Sequence, residues 1–213
     1  MCFSAGASFV ASGGLAITGG ASLKLATKRQ RMLALVPLLF AVQQALEGIQ
    51  WLYVNDGQSS LFAAYAFLFF GFIVWPIYVP LALYEIHRHK VLRWFIGSGI
   101  CTALIYLVGF LTNPLNVTTW GQSIDYGHTV PFPWIATILY AITILGTFVV
   151  QKDHFLLLIG GMIGIAAAVT HIFFVATFAS VWCFFAAIVS GLIYIYIWRS
   201  RAKNKIRKNR SRK

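Results

Sequence analysis

The sequence predicts an all-α membrane protein, a bundle of about seven transmembrane helices with the N-terminus outside and the C-terminus cytoplasmic. Three observations carry this expectation. Of 213 residues, 59% are hydrophobic and only 10% charged, whereas soluble domains carry roughly 25% charged residues. The apolar residues gather in runs long enough to cross a hydrocarbon core about 30 Å thick, which takes roughly 20 helical residues. The basic residues cluster between alternate runs, the pattern of cytoplasmic loops. The length fits one bundle, residues 1–198, and a basic cytoplasmic tail, residues 199–213.

Span one covers residues 5–25. Ser4, Ser8, Ser12, Ala16 and Gly20 recur every four residues, a small-residue ladder that lets a second helix approach closely where lipid offers no hydrophobic drive. The loop after it holds Lys24, Lys28, Arg29 and Arg31, which places it in the cytoplasm. Span two, residues 31–54, follows, with Pro37 as an expected local kink. The segment 55–60 has no basic residue and belongs outside. Span three, residues 61–84, is rich in aromatic residues and contains Trp75-Pro76 and Pro80. Proline is tolerated there when neighbours satisfy the freed carbonyls.

The segment 85–93, EIHRHKVLR, returns the chain to the cytoplasm. Span four is residues 94–111. The longest loop, 112–130, lacks Lys and Arg and belongs outside. Span five is 131–150, and Gln151 to His154 form a tight inner turn. Span six, 155–177, carries Gly160 and Gly164 as a second close-packing signal. Span seven, 180–198, ends at the basic tail.

Nine of the 17 Lys and Arg residues lie from Arg199 onward. Such a tail anchors on anionic lipid, each basic residue contributing about 1 kcal/mol near the surface. No aromatic or folded reader accompanies these charges, so no nucleic-acid partner is expected. Cys2, Cys101 and Cys183 form no CxxC pair, which excludes a zinc ribbon and a disulfide framework. The N-terminus lacks the basic region of a cleaved signal peptide. No HExxH, GxSxG, P-loop or GxGxxG arrangement is present.

Span two holds the chemistry. Gln43, Gln44, Glu47, Gln50 and Trp51 sit in an otherwise apolar run, and a charge at membrane depth costs on the order of 2.5–3.5 kcal/mol on insertion scales. Spacings of four, three and one put Gln43, Glu47, Gln50 and Trp51 along one helical face. Depth adds further residues. Glu47, His171 and Cys183 lie 16, 17 and 16 residues from basic-end positions 31, 154 and 199, hence roughly 24–26 Å along their helices. Cys2 and Ser4 begin span one near that level. The expectation is an outward-opening polar pocket lined by Cys2, Ser4, Gln43, Gln44, Glu47, His171, Trp182 and Cys183.

Three chemistries suit that set. A neutral His with one or two thiolates, His171, Cys2 and Cys183, would bind zinc or copper, with Glu47 as ligand or acceptor. A Glu and His pair would relay a proton or hold a cationic solute. A thiolate beside His would serve as a nucleophile. The plainer alternatives are a histidine bonded to a neighbouring helix, a protonated Glu tying helices together, and cysteines acting as small apolar side chains. Asp125, Tyr126 and His128 in the long loop are either a lid over the pocket or an ordinary polar loop. His87 and His89 do not share a helical face and read as solvated loop residues. Asn116-Val117-Thr118 fits a glycosylation acceptor, which has meaning only in a eukaryotic secretory context.

Three stretches, MCFSAGASF (1–9), PLLFAVQQALEGIQW (37–51) and SVWCFFAAIVS (180–190), resemble an uncharacterised family of bacterial multispanning membrane proteins. The resemblance spans nearly the whole chain and implies a small seven-span protein, with no implied activity. Gly6 departs from the family pattern, which has a threonine-like residue there. The functional expectation is a protein of the bacterial inner membrane that binds a small ligand or metal ion in the outward pocket, for sensing or transport. The alternatives are a membrane-embedded enzyme using a His/Cys site on a lipid-soluble substrate, and a structural membrane subunit.

Overall fold

The computed structural model describes residues 4–120, 123–173 and 178–210. Among them the chain is almost entirely helical. The helices are α1 (Ala5–Leu25), α2 (Arg31–Asn55), α3 (Leu61–His87), α4 (Leu92–Thr112), α5 (Pro133–Val149), α6 (His154–Phe173) and α7 (Phe178–Arg210), with a hairpin of β1 (Thr118–Trp120) and β2 (Ser123–Asp125) between α4 and α5. By length and composition, Lys28–Asn55, Leu61–His87 and Leu92–Thr112 are able to cross a membrane.

Helices α1 and α2 pack as a close antiparallel pair. The hydroxyl of Ser12 donates to the Ala41 carbonyl at 2.8 Å, Gly19 lies against Leu38, and Gly48 lies against the ring of Phe9. The expected ladder on α1 is corrected here. The buried face runs through Ser8, Leu15, Gly19 and Ser22, while Ser4 and Ala16 are exposed. A strict four-residue repeat advances about 40° per step around a 3.6-residue helix, so it leaves the contact face within three turns. The observed face alternates steps near three and four and stays put.

Helix α3 is interrupted by a π-helical turn over Phe69–Val74. Pro76 explains its consequence. In this turn the Trp75 amide donates to Phe70, five residues back, and the next amide that would serve Gly71 belongs to Pro76, which has none. The Gly71 carbonyl accepts instead from the Tyr140 hydroxyl of α5 at 2.8 Å. Helix α2, by contrast, continues through Pro37 as one α-helix. Helix α4 crosses α3 at the same proline: a Cβ on Gly99 would collide with the Pro76 carbonyl. Gly160 on α6 is held close to Phe148 of α5, as its small size suggested, whereas Gly164 has only ordinary contact with Leu145.

The basic segments meet at one end. Gln30, whose side chain also accepts from Thr27, donates to Ser200 Oγ at 2.9 Å, and Arg201 donates to the Lys24 carbonyl at 3.2 Å. Helix α7 does not stop at Trp198. It runs on through Arg210, because Lys and Arg are good helix formers, no Gly or Pro intervenes, and cations near a helix C-terminus are favourable.

Two apolar clusters stack along the bundle. One, at the basic end, joins Leu33, Val36, Phe40, Trp75, Phe148 and Ile193 with their neighbours. The other, at the hairpin end, joins Trp51, Phe67, Phe72, Tyr106, Phe110, Ile124 and Tyr126.

Candidate functional site

The polar half of α2 lies between these two clusters. Leu33, Ala34, Val36, Phe40 and Ala41 of the helix belong to the first and Trp51 to the second; Gln43, Gln44, Glu47 and Gln50 occupy the interval and are all at most 2% exposed. Four polar side chains in one sealed layer of an apolar protein demand partners, since an unpaired buried polar group costs roughly 1–3 kcal/mol.

Each residue answers that demand differently. Gln43 points at α3, where its Oε1 accepts from Trp75 Nε1 at 2.8 Å and its side chain lies close to Gly71 of the π-turn. Gln44 Nε2 donates to Glu47 Oε2 at 2.8 Å, within one turn of α2. Gln50 is different. Among the described residues neither its carboxamide nitrogen nor its carboxamide oxygen has a partner, although the residue is fully buried. Ser8 of α1 is likewise buried, and its hydroxyl has no partner among the described residues. It lies one turn before Ser12, whose bond to Ala41 sets the α1–α2 register, so it stands at the level of Gln44–Gly48.

The loop between α4 and α5 covers this layer from the hairpin end. Ile124 and Tyr126 are buried in the cluster that contains Trp51, and Tyr126 stacks on Phe67 with ring centroids 4.7 Å apart. His128 packs among Phe72, Tyr106 and Phe110, at centroid distances of 4.7, 6.3 and 6.2 Å. Burial holds the His128 imidazole below its ordinary pKa, against a smaller upward pull from Asp125. The loop turns at Gly127, whose φ is +52° and whose amide donates to Asp125 Oδ1 at 2.9 Å. A Cβ there would collide with the Asn116 carbonyl, so glycine is required twice over.

The structure therefore brings Gln43, Gln44, Glu47 and Gln50 together and places Trp51 between them and the covering loop. It does not bring Ser4 into the layer. Ser4 is exposed and its hydroxyl accepts from the Ala7 amide, capping α1. Cys2 and the side chains of His171, Trp182 and Cys183 lie outside the described residues. Among the described residues no group of three His, Cys, Asp or Glu side chains is arranged for a metal ion. His87 and His89 stack with centroids 5.7 Å apart at the basic end, remote from this layer.

Residues 1–210 match a family of unknown function, DUF6629. The chain belongs to this family. No curated protein and no solved structure matches it.

Sequence reasoning missed Trp75, Ser8 and Tyr140 as members or supports of the layer. Trp75 and Tyr140 read as ordinary aromatics. The signal available for Trp75 was its position before Pro76, in a span whose prolines leave carbonyls to be satisfied from other helices.

Proposed function

We propose that this protein crosses the bacterial plasma membrane seven times, with the N-terminus outside and the C-terminus cytoplasmic. In this reading it binds a small polar or cationic solute, or a metal ion, in the Gln43–Gln50 layer, for sensing or transport. The basic segments gathered at one end would be cytoplasmic, and the hairpin end would face outward. The loop carrying Ile124, Tyr126 and His128 would then be the lid over the site.

The observation that carries this reading is the Gln50 carboxamide. A fully buried amide whose two donor hydrogens and acceptor oxygen meet no partner among the described residues is retained at a cost in stability unless something polar joins it. It lies one turn from Glu47, a carboxylate-bearing side chain in a layer of low dielectric, where attraction to a cation is strong. A carboxylate flanked by three carboxamides suits a solute with a cationic centre and hydrogen-bonding groups, the carboxylate giving affinity and the amides orientation.

The test is a thermal-shift series on the full chain in mild detergent. The probes are zinc and copper ions, choline and guanidinium. At least one is expected to raise the melting temperature of the wild type, and Glu47→Gln, which keeps the shape and removes the charge, is expected to abolish the rise. A rise that survives in Glu47→Gln, or no rise with any probe, would overturn the assignment of the layer as a cation site.

A further inference from the structure

We propose a second binding site, at the basic end, that takes the phosphate of an acidic phospholipid headgroup. A cavity of about 710 Å³ opens between the start of α6 and the C-terminal half of α7. Its polar wall is made by Lys152, His154, Arg199 and Lys203. Asp153 also lines it, but one carboxylate oxygen is engaged, accepting from the Phe155 amide at 2.8 Å as the cap of α6. Three cationic side chains thus stand against one carboxylate, beside the N-terminal, positive end of a helix. The guanidinium of Arg199 lies over the Phe155 ring, 5.2 Å from its centroid, which fixes its plane and leaves its edge to donate.

The rest of the wall separates a lipid from a soluble phosphate ester. Leu158 lines the cavity and is 52% exposed on the flank of α6, so the charged pocket continues into an apolar surface. Trp198, adjacent to Arg199, is also exposed, as expected of an aromatic residue at headgroup depth. A charged recess leading onto an apolar flank matches an amphiphile, with its phosphate among the bases and its acyl chain along α6. The assignment rests on the membrane placement proposed above and is independent of the Gln43–Gln50 layer.

The experiment titrates the full chain in detergent with short-chain phosphatidylglycerol and, separately, phosphatidylcholine, following bound lipid by native mass spectrometry. The wild type is expected to prefer phosphatidylglycerol. Lys152→Gln/Lys203→Gln is expected to weaken that binding roughly thirtyfold, whereas Lys205→Gln/Lys208→Gln, which removes the same charge from the end of α7, leaves it nearly unchanged. Equal losses in the two variants would mean diffuse attraction to the basic tail and overturn the site. So would a wild type that binds both lipids alike. If glycerol phosphate displaces the lipid at equal concentration, the pocket takes a soluble phosphate ester and the lipid assignment falls. Gln50→Leu, which alters only the polar layer, is expected to keep full phosphatidylglycerol binding, so failure of one site is distinguishable from failure of the other.

Discussion

Trp75 Nε1 donates to Gln43 Oε1 at 2.8 Å, and this bond joins α2 to α3 at the boundary between the polar layer and the apolar cluster beneath it. Both partners are buried. Gln43→Leu removes the acceptor and strands the indole N–H, at a cost of about 1–2 kcal/mol. Adding Trp75→Phe removes the stranded donor, so the double variant is expected to lose less than the sum of the two single ones. A double-mutant cycle of unfolding in detergent measures the difference; strict additivity would show that the bond contributes nothing.

Gln50→Leu is expected to act in the opposite direction. It replaces a buried carboxamide that has no partner among the described residues by an apolar side chain of similar size, and stability should rise by about 1–2 kcal/mol. A higher melting temperature with unchanged helix content is the expected result. A variant less stable than the wild type would mean that the carboxamide is satisfied in the free protein.

Gly99→Ala tests the α3–α4 crossing. The new methyl group meets the Pro76 carbonyl, which is backbone and has no side-chain freedom to yield. Overpacking of this kind costs roughly 1–3 kcal/mol. Gly13→Ala, where the added carbon meets nothing within 4 Å, is the control, and should be neutral or slightly stabilising because alanine is the better helix former. Equal melting temperatures for the two variants would contradict the observed crossing.

The covering loop should loosen in mild acid. His128 has a folded-state pKa below its ordinary value, with burial as the main cause. The unfolded or detached loop therefore binds a proton first. Its contribution to stability is complete above about pH 6.5 and declines as pH falls below that value towards the lowered folded-state pKa. Amide exchange in residues 123–130 is expected to quicken between pH 7.5 and pH 5.5, and His128→Phe should flatten that response. Exchange equally pH-dependent in both proteins, after correction for intrinsic rates, would remove His128 from the explanation.

Much of the helical framework is legible in the sequence because apolar run length and charged punctuation are local properties. Ala5–Leu25 and Arg31–Asn55 stand within one residue of where the runs begin and end. Glu47 and its glutamines draw attention for the same reason, since polar groups inside an apolar run are expensive wherever the helix packs. The small-residue ladder of α1 does not coincide with its buried face, Ser8, Leu15, Gly19 and Ser22, because recurrence along the chain says nothing of rotation around the helix. Helix α7 outran the boundary at Trp198 because a change of polarity ends an apolar run without ending a helix.

The sequence by itself determined the helical class, the clustering of positive charge and the presence of a polar stretch within α2. Those properties follow from side-chain chemistry and nearest neighbours. Only the tertiary structure decided that Gln43 meets Trp75, 32 residues away, that Gln50 meets no partner among the described residues, and that Ser4 caps a helix rather than lining the layer. It alone packed Ile124 and Tyr126 of the hairpin loop into the cluster of Trp51 and set Lys152 and Lys203 on the wall of one cavity. Such pairings depend on how helices rotate and cross, which is decided by the close contacts of Gly19 with Leu38, of Gly48 with the Phe9 ring and of Gly99 with the Pro76 backbone, and by the carbonyl that Pro76 leaves to Tyr140.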